Sequence, residues 1–181
     1  KLQNKMKVFR CKLPSNSALR KQFFPDYLDC FQVTIVDANN SITPSSLGKN
    51  FFTGTPTWVK SLFELREKFA QLVGLKTGEK KSNRQKYLDE FNCEVGQKIG
   101  LFKVFSKSKL EVILGEDDKH LNFRISIHIN ELDKNEKIIT LSTSVQFNNN
   151  FGKLYFLPVK PIHKFIVPSM IKTMIKGVLK Q

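Results

Sequence analysis

The sequence predicts an α+β fold, an antiparallel sheet whose single apolar face is covered by a long C-terminal helix. Three observations carry this prediction. His120 to Asn130 alternates strictly, with Leu121, Phe123, Ile125, Ile127 and Ile129 in one phase and His120, Asn122, Arg124, Ser126 and His128 in the other. Successive strand side chains point to opposite faces, so this pattern marks a half-buried strand. It returns over Lys137 to Asn148, where Ile139, Leu141, Thr143, Val145 and Phe147 are set against Thr140, Ser142, Ser144 and Gln146. Finally, apolar pairs recur every four residues from Ile166/Val167 to Val178/Leu179. That spacing predicts a helix over Pro161 to Lys180, about 30 Å long and able to cross the sheet.

The elements follow in order. Met6 to Leu13 is predicted as a short basic strand, and Ser17 as the cap of a short helix through Phe23. Tyr27 to Val36 alternates again, Asp29, Phe31, Val33 and Ile35 against Leu28, Cys30, Gln32 and Thr34. Thr43-Pro44 reads as an N-cap with proline at the first helical position, opening a helix through Phe52. Thr55-Pro56 repeats the signal and opens a longer helix to about Val73, with Trp58, Leu62, Leu65, Phe69 and Leu72 as its apolar stripe and Gly74 as its C-cap. Residues 76–90 are polar and aperiodic, an expected exposed loop. Strands are predicted at Gly100 to Phe105, Lys109 to Gly115, His120 to Asn130 and Lys137 to Asn148, with hairpin turns at Gly115 to Lys119 and Asp133 to Lys137. A further short strand is expected at Gly152 to Leu157. Pro168 inside the last helix costs roughly 3 kcal/mol, which predicts a kink or a fresh start between Lys164 and Pro168.

The 181 residues suit one domain, 1–181, whose first 25 residues form a basic N-terminal extension. No apolar run is long enough to span a bilayer, and no secretory signal is visible, so a cytoplasmic location is expected. Three cysteines, Cys11, Cys30 and Cys93, are far apart in sequence and lack ligand spacing, which suits reduced, mostly buried thiols. The formal net charge is +14 and is concentrated at the ends. Residues 1–25 carry seven Lys or Arg and residues 151–181 carry six Lys, both without an acid. Such ends attract an anionic membrane surface or an acidic protein. Lysine outnumbers arginine, the residue suited to bidentate base and phosphate contacts, so nucleic acid is disfavoured as a partner.

The order of elements resembles the helix-grip fold of START-like (SRPBCC, pollen-allergen-like) domains. The run Asp26-Tyr27-Leu28-Asp29-Cys30-Phe31 is followed by Trp58 with Leu62, Leu65 and Arg66. Then come Val112 to Gly115 with Asp117 to Arg124, and Asn148, Gly152, Tyr155, Pro161 and His163. Together these resemble a bacterial family of uncharacterised domains in that superfamily, some members of which are fused behind an NAD-binding, epimerase-like domain. The resemblance covers roughly Val8 to Ile175. It implies a cavity between sheet and C-terminal helix, and no established activity. Asn122 stands where Asp is usual and Lys153 where Arg is usual, so any chemistry of that Asp or Arg is in question here.

Asp117, Asp118, His120 and Arg124 form the most suggestive polar group. They read either as acid–base or anion-holding residues at a cavity mouth, or as a hairpin tied by salt bridges. His120 and Arg124 are about 13 Å apart along a strand, too far to share one small anion. Arg66 is placed to reach a ligand carboxylate or phosphate, or to pair with a nearby acid. Trp58 reads as core or lid. Phe123, Ile125, Leu141, Val145, Met170 and Met174 are the expected cavity lining. His120, His128 and His163 show no metal-ligand spacing, and no phosphate loop or nucleophile elbow is present, so neither cofactor nor metal is implied. Three functions follow as expectations: a binding module for a small apolar or amphipathic ligand, a cyclase- or isomerase-like enzyme using the same cavity, and a basic interaction module.

Overall fold

The computed structural model describes residues 6–22, 24–72, 84–133 and 135–180. Seven strands form one antiparallel sheet: β1 (Phe9–Arg10), β2 (Tyr27–Val36), β3 (Lys98–Ile99), β4 (Phe102–Lys107), β5 (Glu111–Asp117), β6 (Leu121–Glu131) and β7 (Glu136–Phe147). Their spatial order is β1-β2-β7-β6-β5-β4-β3. β5, β6 and β7 make the meander foreseen from the alternation. β2 pairs with β7 over its whole length, Tyr27 facing Val145 and Val36 facing Glu136, so the first long strand closes against the last. The described helices are α1 (Pro44–Thr53), α2 (Thr57–Leu72), α3 (Arg84–Glu90), α4 (Asn150–Phe156) and α5 (Val159–Val178).

One sheet face forms the core. Phe31, Val33 and Ile35 of β2, Ile125, Ile127 and Ile129 of β6, and Ile139 and Leu141 of β7 pack with Val167, Met170, Ile171, Met174 and Ile175 of α5. α1 lies against α5, and this contact leaves no room for a side chain at Gly177. A Cβ there would sit 2.2 Å from Asn50 Oδ1. The opposite face is also largely covered, although its side chains are small and polar. Ser126, His128, Thr140, Ser142 and Ser144 are all buried. The N-terminal arm runs over them. It pairs as β1 with β2, then turns at Ala18–Lys21, where the Ala18 amide (2.6 Å) and the Ser17 hydroxyl both donate to the buried Glu111 carboxylate. Ser126 donates to the same carboxylate from below.

Four expectations are corrected. Gly152 to Leu157 is not a strand but part of α4: Asn149 caps it by accepting from the Gly152 amide, and Gly152 and Phe156, four apart, face inward. Residues 84–90 of the expected loop form α3, anchored by buried Leu88; residues 76–83, like Gly74 and Phe23, lie outside the described residues. α5 begins at Val159, before the expected Pro161, and runs through Pro168 as one helix, so of the two alternatives there the fresh start does not occur. On α2 the buried side is Val59, with Leu62 and Arg66 half-buried, so the predicted stripe is rotated. Trp58 is 42% exposed and Leu65 64% exposed, and neither builds core. The side chains of Phe69 and Leu72 are not among those described.

Candidate functional site

The polar residues converge at one end of the sheet, where β2 and β6 begin and β7 ends. α4 and the first turns of α5 close this end. A small apolar cluster of Leu121, Val145 and Phe156, flanked by Tyr27 and Tyr155, forms its floor.

On the β2 side, Asp29 is a buried carboxylate in an otherwise apolar phase. Its Oδ2 lies 2.7 Å from His163 Nδ1 of α5 and accepts the Tyr27 hydroxyl, also at 2.7 Å. A carboxylate only accepts, so Nδ1 carries a hydrogen and donates it to Asp29. No described residue hydrogen-bonds the ring's Nε2, and the His163 side chain keeps 13% of its surface exposed. Asp29 Oδ1 is buried and without a partner among the described residues. Burial first, then Asp29, pushes the Tyr27 pKa well above its usual value, so the phenol stays a donor. Tyr27 packs on Phe156 at 4.8 Å and meets His163 edge-on at 6.0 Å, while Lys160 Nζ stands 5.9 Å from its ring centre.

On the β6 side, three of the expected residues meet. His120 is buried between Tyr155 (ring centres 5.0 Å apart) and Phe151 (5.9 Å) of α4. Arg66 of α2 donates from Nε to the Tyr155 hydroxyl at 2.9 Å and from Nη1 to Glu67 at 2.7 Å. Asp118 Oδ2 is 3.5 Å from His120 Nδ1, too long for a good hydrogen bond, and both imidazole nitrogens lack a hydrogen-bond partner among the described residues. Burial holds the His120 pKa below its ordinary value; Asp118 opposes this and the Arg66 charge reinforces it. Asn148 fastens the corner by donating to the Asp118 carbonyl (2.6 Å) and to Asn122 Oδ1 (3.0 Å), while Asn122 donates to Gln146 Oε1 at 3.3 Å. The amide at 122 therefore both accepts and donates, whereas an ionised Asp would only accept.

Arg124 does not join them. Its guanidinium stacks 3.5 Å above the Phe105 ring, pairs with Asp117 at 2.8 Å and donates to the Phe123 carbonyl at 2.9 Å. Ile125, Leu141, Met170 and Met174 are buried in the main core, Val145 in the small cluster, and half-buried Phe123 packs against both. Trp58 is partly exposed on α2 and does not join the cluster. Tyr27, Asp29, Tyr155 and His163 were not singled out as site residues from the sequence. The signal was present: Asp29 occupies the inward phase of β2, and His163 stands four before Val167 and seven before Met170 on the inward stripe of α5.

Cys11 and Cys30, distant in sequence, face each other across β1–β2, with the Cys11 amide donating to the Cys30 carbonyl at 3.0 Å. They border an open depression of ≈ 370 Å³ with Arg10, Lys12 and Arg20. Burial, then the neighbouring Cys30, pushes Cys11 up to about 11, and burial also raises Cys30, so neither thiol is activated as a nucleophile. No group of metal-ligating side chains occurs among the described residues.

Residues 24–170 match the protein family described as "Protein of unknown function (DUF2867)", and the chain belongs to that family. No curated protein matches it. Among solved structures it is similar to a conserved protein from Geobacillus kaustophilus at 9% identity, with 85% of this chain and 96% of that one covered and a TM-score of 0.38.

Proposed function

We propose that the chain is a helix-grip binding module that holds a small amphipathic molecule where α4 and the start of α5 close the sheet, with His163 as its polar anchor. One observation carries this reading: a buried carboxylate, Asp29, fixes the imidazole through Nδ1 and leaves Nε2 toward a partly open surface. Holding a side chain this way costs conformational freedom and is useful where its remaining atom meets a partner. The surroundings favour a ligand with two characters. Half-buried Tyr27, backed by buried Phe156, offers ring surface to an apolar body, and Lys160 favours an anionic or hydrogen-bonding head.

The same dyad supports an isomerase-like enzyme as a second reading. An Asp-oriented histidine with a free Nε2 has the geometry of a general base. His120 suits that role less well, since Phe151 and Tyr155 cover its ring.

Native mass spectrometry of the full chain, before and after denaturation, tests the binding reading. A small molecule should accompany the wild type, leave on denaturation and be absent from His163→Ala. Equal retention by the variant would place the ligand elsewhere. For the enzyme reading, activity should be abolished in His163→Ala but not in His120→Ala.

A further inference from the structure

We propose that the outward face of α4 and of the first half of α5 docks on an anionic lipid surface. This inference is independent of the ligand reading above. Leu154 is 68% exposed, Leu157 69% and Phe165 61%, and Ile162 accompanies them. Leu154, Leu157, Ile162 and Phe165 fall close together in the chain, from the end of α4 into the first turns of α5, and large apolar side chains exposed in such a group suit a contact surface. Their place in the helix is not an accident of a frayed end. The core stripe of α5 runs through Val167, Met170, Ile171 and Met174, and Phe165 lies on the far side from it. Two turns on from Phe165, Lys172 and then Lys176 occupy that same outward side.

Charge decides which partner fits. From 151 to 181 the chain has six lysines and no acid, and all six are exposed. Lys153 adjoins Leu154 in the chain, and Lys164 Nζ stands 5.1 Å from the Phe165 ring centre. An apolar patch edged by long, flexible cations suits a membrane interface, where the aliphatic stems snorkel and the ammonium groups meet lipid phosphates. A hydrophobic protein partner would gain nothing from such a ring unless it were acidic. No helix among the described residues is long and apolar enough to cross a bilayer, so the contact is peripheral. Each lysine near the surface adds attraction that salt screens, and each buried Leu or Phe adds attraction that salt does not.

Sedimentation of the full chain with phosphatidylcholine vesicles, with and without phosphatidylglycerol, tests this. Co-sedimentation is expected with the anionic vesicles only, weakening as sodium chloride is raised. The variant Leu157→Ser/Phe165→Ser should bind about tenfold more weakly or worse, and Lys153→Glu/Lys164→Glu should lose the preference for anionic lipid. Both change exposed residues, and unaltered circular dichroism and melting will confirm that they fold. Absence of binding to anionic vesicles, equal binding to neutral ones, or binding unchanged in Leu157→Ser/Phe165→Ser would overturn the proposal. So would self-association in ultracentrifugation abolished by that variant, which would assign the face to a second copy of the chain.

Discussion

Gly152 shows how a single residue decides this corner of the molecule. A Cβ there would lie 2.0 Å from the His120 carbonyl oxygen, a backbone atom that cannot turn aside. Gly152→Ala should therefore destabilise the chain by about 3 kcal/mol in urea unfolding. Gly96 has φ +92° and open space around it, so Gly96→Ala should cost only about 1–2 kcal/mol. Equal losses would mean that the close approach of α4 to β6 is absent. His128 provides a second test. It is fully buried, and burial holds its pKa below the ordinary value even though Glu111 faces it across β5–β6 and pulls the other way. The unfolded chain binds that proton more readily, so the stability from neutral His128 is complete above the unfolded pKa of about 6.5 and is lost as pH falls below it. His120 shifts in the same direction. Unfolding free energy should thus decline on acidification from neutral pH, and the slope should flatten in His128→Gln. Neither Gly152 nor His128 was interpretable this way from sequence. A glycine inside a predicted strand carries no sign of what it touches, and the burial of a histidine on a polar phase depends on the arm that covers it.

At the scale of elements, the passage from β2 into α1 depends on one buried ion pair. Lys137 Nζ, on β7, fills its three donor sites with Asp37 (2.8 Å), Asn40 (2.6 Å) and the Ile42 carbonyl (3.0 Å). Burial alone would raise the Asp37 pKa, but Lys137 and the amides of Ile42 and Ser41 hold it below its ordinary value. Lys137→Met leaves that carboxylate buried and unpaired and should cost about 3–5 kcal/mol, much of it restored by adding Asp37→Asn. A loss under 1 kcal/mol would show that water reaches the pair. The long strands were legible because period-two alternation survives any tertiary context, and α1 because Thr43-Pro44 announces its own start. α4 is hard to read from sequence because Phe151, Tyr155 and Phe156 favour strands, while its helical character rests on Asn149 and on the spacing of Gly152 and Phe156. On α2 the apolar periodicity does not reveal that Trp58 and Leu65 are exposed.

For the whole molecule, the sheet is covered on both sides by different means. The apolar side takes α1 and α5, as its composition requires, and the polar side takes the N-terminal arm, fastened to Glu111. What the sequence could not supply was the convergence of distant residues. Asp29 and His163 are 134 positions apart, and only the closure of β2 against β7 under α5 brings them together. Arg66 and His120, far apart in sequence, both meet Tyr155, whereas Arg124 is held elsewhere by Phe105 and Asp117. The central claim is that His163, fixed by Asp29, presents Nε2 to a small amphipathic molecule. Nitrogen-resolved NMR of the histidine side chains in the full chain, recorded while octanoate is added, tests it most directly. The account predicts that the His163 Nε2 signal moves with octanoate together with Tyr27, while buried His128 stays still. A His163 indifferent to saturating octanoate would contradict it.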